Sequence, residues 1–247
     1  MLEAIPVTQA RKDFLPSIER VANELHKFVV TKHGKPMTVV LSYQEYTRMV
    51  ETLKFFEGRR VTRGKICAII LAAGKADYEN TPMQLFPVDG VSLISRVTEA
   101  LLASGVDDLI VVLGYQAEQI KQELTNKNIK VVVNPNYERG LSRSLRYGLR
   151  MVSRDATAVV LTPGNRPFIK PEVIGALITT YQRGKAAIVA PTCHQVRGHP
   201  VIFNTSLIPE LLKTRGDVGG REVIRRHQRE LIEVEVEDTG IFKKIEN

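Results

Sequence analysis

Short apolar runs alternate with amphipathic segments over the last three quarters of the chain. The runs are uninterrupted, as is typical of strands buried on both faces, and cover residues 66–72, 109–113, 131–133, 158–161 and 187–190. Segments with helical periodicity separate them, at about 92–104, 116–124, 141–152 and 171–182. This alternation predicts an α/β fold in which helices cover both faces of a mostly parallel sheet.

Ligands of such sheets lie beyond the carboxyl ends of the strands. Four loops leave these ends, and we expect them to surround a binding site. They begin at Gly74, Gly114, Asn134 and Pro163.

The first quarter of the chain has a different pattern, typical of a small α+β unit. Phe14, Ile18 and Val21 recur at helical spacing, with Thr8 as a candidate N-cap. Two β-rich runs, residues 28–31 and 37–42, flank a Gly-Pro-containing turn and predict a hairpin. After the next helix the composition becomes basic and glycine-flanked. We therefore expect a domain over residues 1–57, a linker over 58–65 and a second domain over 66–247.

Composition argues against a membrane-spanning, a secreted and a disulfide-rich protein. The longest apolar run, Ile66 to Ala73, is far too short to cross a membrane, and charged residues interrupt the N-terminus early. Two cysteines, Cys67 and Cys193, cannot form a disulfide framework. We expect a soluble cytoplasmic protein with no membrane partner.

The charge is concentrated near the N-terminus. The net charge is +8, and residues 1–65 hold 12 Lys and Arg against 7 Asp and Glu, whereas the remaining residues hold 23 against 20. A basic N-terminal region favours a nucleic-acid partner there.

The N-terminal region resembles the Phd/YefM antitoxin family. The matching runs are Ile5-Pro6-Val7-Thr8-Gln9-Ala10-Arg11-Lys12-Asp13-Phe14 and Val29-Val30-Thr31-Lys32-His33-Gly34-Lys35-Pro36, followed by Val39-Val40-Leu41-Ser42 and Glu45-Tyr46. The resemblance implies a homodimer that binds operator DNA through Arg11 and Lys32, with Thr8, Lys12 and His33 beside them. It does not extend to the flexible toxin-neutralising tail, whose place a second folded domain takes, so we expect no toxin partner.

Residues 66–247 resemble MobA/MocA-type nucleotidyltransferases, which have a Rossmann-like fold. The matching motifs are Leu71-Ala72-Ala73-Gly74, Phe86-Pro87-Val88-Asp89-Gly90, Asn134-Pro135-Asn136-Tyr137, Gly140-Leu141-Ser142-Arg143-Ser144-Leu145, Arg197-Gly198-His199-Pro200-Val201 and Gly216-Asp217-Val218-Gly219-Gly220-Arg221. The resemblance implies a nucleotide or pterin-like ligand, bound by Leu71, Ala72, Ala73, Gly74 and Ser144.

Three positions depart from the family pattern. Where the family has an arginine and a lysine on the phosphates, this chain has Tyr78 and Met83, and Asn165 replaces the metal-binding aspartate of a GDxP motif. Asp217 keeps a second carboxylate position, so Mg²⁺ bound with a nucleotide is a possible cofactor set. Loss of one electrostatic contact of this kind commonly costs about 10²- to 10³-fold in rate. Four other cations could replace the missing ones: Lys75, Arg143, Arg166 and Arg197.

Three functional hypotheses follow. The first is a DNA-binding regulator whose large domain, degenerate as an enzyme, senses a ligand or holds a partner. The second is an active nucleotidyltransferase, such as a molybdopterin cytidylyltransferase, with a rewired phosphate site. The third is a dimeric interaction module with neither activity. The stripe Arg221, Arg225 and Arg229 is interpreted as a solvated helix face, and Cys193, His194 and His199 lack metal-ligand spacing.

Overall fold

The chain divides into two compact units, Met1–Thr62 and Arg63–Asn247. The computed structural model describes residues 2–24, 27–48, 64–75, 77–78, 81–125, 129–184 and 186–245. The predicted linker residues 58–63 lie outside the described residues. None of the helices within those ranges is long and apolar enough to cross a membrane.

The small unit is a three-stranded sheet with helices beside it. Its elements are β1 (Leu2–Pro6), α1 (Val7–Lys12), α2 (Phe14–Glu24), β2 (Lys27–Lys32), β3 (Lys35–Val40) and α3, described over residues 43–48. Strand β2 pairs antiparallel with β3, which confirms the predicted hairpin, and parallel with β1. Ile5, Val21 and Phe28 form its core. The Ser42 hydroxyl accepts the Glu45 amide at 3.2 Å and caps α3.

One expectation for this unit was wrong. Thr8 is not an N-cap, because α1 begins at Val7 and Pro6, which has no side-chain oxygen, holds the capping position. The helix predicted from the spacing of Phe14, Ile18 and Val21 is present as α2, and its apolar face is only partly buried. Val21 is buried, but Phe14 is 59% exposed and Ile18 is 39% exposed.

The large unit is built on a sheet of eight described strands in the order β10-β9-β4-β11-β14-β12, with both β13 and β15 on β12. The strands are β4 (Lys65–Ala72), β9 (Asp108–Leu113), β10 (Lys130–Val133), β11 (Ala156–Pro163), β12 (Ile188–Cys193), β13 (Val196–Arg197), β14 (Val201–Asn204) and β15 (Leu231–Glu235). Two small hairpins lie outside this sheet: β5 (Asp77–Tyr78) with β6 (Thr81–Pro82), and β7 (Pro87–Val88) with β8 (Val91–Ser92).

Most of this sheet is parallel, as predicted. Strands β10, β9, β4 and β11 pair parallel with one another, and β12 pairs parallel with β15. The antiparallel β14 lies between β11 and β12. All five predicted strands are present.

Helices cover both faces of this sheet. They are α4 (Leu93–Ala103), α5 (Ala117–Gln122), α6 (Leu141–Arg150), α7 (Pro171–Arg183), α8 (Ile208–Leu211) and α9 (Arg221–Arg226). Helices α4, α5 and α7 pack into one apolar cluster, whereas α6, α8 and α9 pack into a second one with the alternate side chains of the strands. The two clusters therefore occupy opposite faces of the sheet.

The close approach of α6 to the sheet gives a test of the packing. A Cβ at Gly148 would lie 2.7 Å from Ile69 Cγ2, whereas a Cβ at Gly175 of α7 would have Ser104 O at 3.9 Å as its nearest neighbour. Alanine favours a helix over glycine by about 1 kcal/mol, but overpacking costs about 1–3 kcal/mol.

We therefore expect Gly148→Ala to lower the free energy of unfolding, by up to about 2 kcal/mol. Gly175→Ala is the matched control and should raise it by about 0.5–1 kcal/mol. Urea denaturation of both variants measures the difference. Equal shifts of the same sign would contradict the packing described for α6.

Candidate functional site

The carboxyl ends of β4 and β11 lie side by side, because the two strands are parallel neighbours with Leu71 opposite Pro163. The Gly164 amide donates to the Leu71 carbonyl at 2.9 Å. A Cβ at Gly164 would lie only 2.7 Å from Ala72 Cβ, so the close contact between the two loops requires glycine. The loop after β4 and the loop after β11 thus form one edge.

A cavity of about 580 Å³, cavity 1, opens at this edge. The five residues predicted to bind a nucleotide all line it, as do Met83, Asn165 and Asp217. Loops that follow β10 and β11 contribute Tyr137, Glu138, Pro163 and Gly164. The predicted contribution of Gly114 is wrong, because this glycine does not line cavity 1. It packs instead against Ala73 and Tyr137.

Gln84 fixes the loop after β4, and the sequence analysis did not identify it. Its Nε2 donates to the carbonyl oxygens of Ala72 at 2.9 Å and Gly74 at 3.1 Å, and the side chain is buried at the wall of cavity 1. Both amide hydrogens are thereby used. The Gln84 side chain therefore holds in place the loop that is expected to contact a nucleotide.

Ser144 is positioned by a buried amide. Asn134 is fully buried, and its Nδ2 donates to Ser144 Oγ at 3.0 Å, while its Oδ1 accepts the Asn136 amide at 2.9 Å. Since Ser144 Oγ accepts from Asn134, its own hydroxyl hydrogen is directed to another acceptor. Ser144 lines cavity 1, where a ligand oxygen or ring nitrogen can accept that hydrogen.

The positions that depart from the family pattern carry no charge into cavity 1. Met83 is 6% exposed and packs in the apolar core, and Asn165 Nδ2 donates to the Ile245 carbonyl at 3.3 Å. Tyr78 belongs to β5, but its side chain lies outside the described residues. Asp217 Oδ1 accepts the Leu141 amide at 2.8 Å.

The residues described in this cavity do not form a magnesium site by themselves. Asp217 and Glu138 each offer one carboxylate and Asn165 one neutral amide oxygen, whereas Mg²⁺ is usually held by carboxylates together with substrate phosphates. Within the described ranges no three His, Cys, Asp or Glu side chains are grouped to hold a metal ion, so Cys193, His194 and His199 do not form such a site either.

The predicted DNA-contacting residues lie on the surface of the small unit. Thr8, Arg11, Lys12, Lys32 and His33 are all exposed. Because Pro6 at the end of β1 pairs with Thr31 at the end of β2, the start of α1 and the β2–β3 turn lie at the same end of the sheet. His33 and Gly34 adopt positive φ angles of 51° and 75° in that turn. Arg11 and Lys12 occupy the last turn of α1.

Comparison with known proteins assigns the family. Residues 68–231 match the model of the MobA-like NTP transferase domain, which is more than half of the chain. The chain belongs to the MobA-like NTP transferase family. Residues 3–60 match the antitoxin Phd_YefM model of type II toxin–antitoxin systems.

Two relatives of this MobA-like chain differ in their names and in how much of their own length the match covers. Nicotine blue oxidoreductase of Paenarthrobacter nicotinovorans is 24% identical over 71% of this chain and 90% of its own length. The bifunctional protein GlmU of Clostridium perfringens is 24% identical over 64% of this chain, and the match covers only 35% of GlmU.

A solved structure with the same fold is Rv0371c from Mycobacterium tuberculosis, with a TM-score of 0.63 and 27% identity over 70% of this chain and 89% of Rv0371c. Rv0371c has also been crystallised in complex with manganese. The fold of the MobA-like domain is thus shared over nearly the whole length of that relative.

A second cavity of about 700 Å³, cavity 2, adjoins cavity 1 in the MobA-like domain, and both are lined by Asp217 and Asn165. Five cationic residues line it: Arg166, Arg197, Arg221, Arg225 and Lys244. Arg221, Arg225 and Arg229 are all exposed, as a solvated face requires, and the first two also line cavity 2. Asp217 is the one carboxylate among the lining residues.

The four cations considered as alternative phosphate ligands do not all lie in cavity 2. Arg166 Nη1 donates to the carbonyl oxygens of Ile241 at 3.1 Å and Phe242 at 2.7 Å. Arg197 Nε donates to Glu233 at 2.9 Å. Lys75 lies 5.6 Å from the ring centre of Tyr115, and neither Lys75 nor Arg143 lines cavity 1 or 2.

The positive charge of cavity 2 affects the pKa of His199. Burial, and then the positive charges of Arg166 and Arg221, lower the pKa of His199 to about 4. The imidazole is therefore neutral at pH 7 and adds no charge to the cavity.

The lowered pKa makes stability depend on pH. In the unfolded chain His199 binds a proton below about pH 6.5, whereas in the folded chain it does so only below about pH 4. The unfolded state thus binds more protons between these values, and acidification favours it. We expect a loss of about 3 kcal/mol from pH 7 to pH 4 through this group.

His199→Gln removes the titration. Urea denaturation at pH 7, 5.5 and 4 should show a smaller loss on acidification for the variant than for the wild type, by about that amount. Parallel pH profiles of the two proteins would show that His199 titrates normally in the folded state.

Proposed function

We propose that this protein is a DNA-binding regulator whose MobA-like domain binds a nucleotide-like ligand and does not transfer it. The observation that carries the proposal is the composition of cavity 1. The residues predicted to contact a base and ribose line this cavity, whereas Met83 and Asn165, at positions where the family pattern has charged side chains, are neutral.

The binding half of this proposal is supported by the loop after β4. Gln84 holds the carbonyl oxygens of Ala72 and Gly74, and Ser144 directs a hydroxyl hydrogen to a ligand. These contacts need neither metal nor cation. Cavity 2 then offers positive charge to an anionic group of the same ligand, through Arg221 and Arg225.

The absence of transfer is supported by the buried thioether at position 83 and the amide at position 165. Nucleotidyl transfer requires neutralisation of charge that develops on the phosphates. Met83 supplies none, and the Asn165 amide hydrogens are directed to the Ile245 carbonyl.

The regulatory half is supported by the surface of the antitoxin-like unit. Two exposed cations, Arg11 in the last turn of α1 and Lys32 at the end of β2, lie on elements that meet at one end of the sheet. Phosphate contacts from such residues would position the unit on a duplex. A second copy of the unit would double these contacts.

Exposed apolar residues support a homodimer formed by the same unit. Phe14, Leu15 and Ile18 of α2 and Met37 and Val39 of β3 are each between 39% and 73% exposed. Apolar side chains grouped on two elements of a small unit are typical of a protein–protein contact. The closed symmetry of most homo-oligomers favours a two-fold pair.

DNA binding is tested with a duplex from the protein's own promoter region. Each phosphate contact adds about 0.9 to the slope of log K against log salt. In a dimer, Arg11→Gln should therefore lower the slope by about 1.8 and weaken binding roughly tenfold or more at 0.1 M salt. Fluorescence anisotropy between 50 and 300 mM KCl measures both quantities.

Arg48→Gln provides the control, because Arg48 is an exposed cation of α3 that is not among the predicted contacts. It should leave the slope unchanged. Identical slopes for Arg11→Gln and the wild type would exclude the predicted contact, and the absence of salt-sensitive binding by the wild type would exclude the regulator.

A second candidate function is active nucleotidyl transfer. The observation that favours it is the cationic lining of cavity 2 beside Asp217. Such a lining could stabilise phosphate charge from the opposite side of the site and so replace the missing arginine and lysine.

Thermal unfolding with nucleoside triphosphates and pterins, with and without Mg²⁺, distinguishes the two functions. A ligand present at about 100 times its Kd should stabilise the protein by about 2.7 kcal/mol. We expect stabilisation that is independent of Mg²⁺ and no release of pyrophosphate. Mg²⁺-dependent release that Asp217→Ala abolishes would establish the transferase instead.

A further inference from the structure

Helix α6 of the large unit carries three arginines and no acidic residue. Arg143, Arg146 and Arg150 follow one another at spacings of three and four residues, which places them on one face of the helix. Leu145 and Leu149 are buried against the sheet. The arginine face is therefore the one turned away from the core.

Arg146 fixes a second cationic segment beside this face. Its Nε donates to the Leu212 carbonyl at 2.9 Å and its Nη2 to the Thr214 carbonyl at 2.6 Å. The Ser142 amide also donates to the Gly216 carbonyl at 3.0 Å. These three bonds hold the loop that follows α8 along α6. Two exposed cations of that loop, Lys213 and Arg215, thus lie beside the helix.

Together Arg143, Arg146, Arg150, Lys213 and Arg215 define a basic face. Arg143, Arg150, Lys213 and Arg215 are exposed, and within the described part of the chain none of the four forms an ion pair.

The two carboxylates nearest in sequence to Lys213 and Arg215 are engaged elsewhere. Glu210 of α8 pairs with Arg226 at 3.6 Å and with His227 at 2.9 Å, on the side of α9. Asp217 accepts the Leu141 amide at the end of α6 that adjoins cavity 1. The basic face therefore keeps its positive charge.

We propose that this basic face binds the phosphate backbone of DNA, so that the large unit contributes contacts of its own to the complex. The proposal rests on the proposed function, in which the antitoxin-like unit binds the same DNA. Arg143 and Arg150 are about 10 Å apart along the helix axis, a length that corresponds to about three steps of the 3.4 Å axial rise per phosphate of one DNA strand. Arginine side chains bind phosphate oxygens through two parallel hydrogen bonds.

The contact would carry no sequence information, because phosphates are the same at every position. It would add affinity and salt dependence on any duplex. Ligand binding does not require it, because Arg150, Lys213 and Arg215 line neither cavity 1 nor cavity 2.

The test removes three charges of the basic face in the full chain, as Arg150→Gln, Lys213→Gln and Arg215→Gln together. The matched control removes three exposed charges on the opposite side of the sheet, as Lys121→Gln, Lys170→Gln and Arg183→Gln. Fluorescence anisotropy with a promoter duplex and a random-sequence duplex, each of 40 base pairs, measures affinity between 50 and 300 mM KCl.

In a dimer we expect the first triple variant to lower the salt slope by about 5.4 on both duplexes and to weaken binding more than 10²-fold at 0.1 M salt. The control variant should keep the wild-type slope. Thermal unfolding of both variants should match the wild type, because the exchanged side chains are exposed.

The outcomes separate this proposal from the proposed function. If the wild type binds DNA and both triple variants keep its slope, the basic face makes no contact and only this proposal is overturned. If the wild type binds neither duplex, both fall. A loss of affinity for poly-glutamate with unchanged DNA binding would assign the face to an acidic protein and overturn the DNA contact.

Discussion

The parallel pairing of β4 with β11 is the constraint on which the ligand site depends. It places Leu71 opposite Pro163, so the loops after the two strands leave the sheet at one point. Gly164 then packs against Ala72 at a distance that excludes any side chain. Because this backbone contact involves no charge, the shape of cavity 1 does not depend on a charged side chain at position 83 or 165.

Cavity 1 and cavity 2 of the large unit differ in the charge of the side chains that line them, and this difference affects how each would hold a ligand. Two unit charges 4 Å apart interact by about 4 kcal/mol at an effective dielectric constant of 20, and a thioether at position 83 contributes nothing comparable. In cavity 2, by contrast, the positive field is strong enough to help lower the pKa of His199 to about 4. A ligand that spans both cavities would thus be held by shape at one end and by charge at the other.

The order of strands and helices could be predicted from the sequence because each buried strand is an uninterrupted apolar run. The antiparallel β14 could not, since it has only four residues and follows a loop, and the edge strand β15 could not, since none of its five residues is buried. The residues of cavity 1 were predictable from motifs, but Gln84 was not. Its role depends on two carbonyl oxygens 10 and 12 residues away, and no spacing in the sequence indicates that contact. Likewise, helical periodicity placed Arg221 and Arg225 correctly on one face of α9 but could not show that a cavity lies there.

Net charge underestimates the basic character of the large unit, because its carboxylates are paired with particular cations. Glu233 pairs with Arg197, and Glu210 and Glu222 pair with Arg226. The opposite charges of each pair cancel locally, so these carboxylates do not reduce the positive potential around α6. The surplus beyond residue 65 is only three charges, yet five cations with no acidic residue among them gather on one helix face and its adjoining loop. The arrangement of the ion pairs, rather than the total charge, therefore determines where an anion meets this protein.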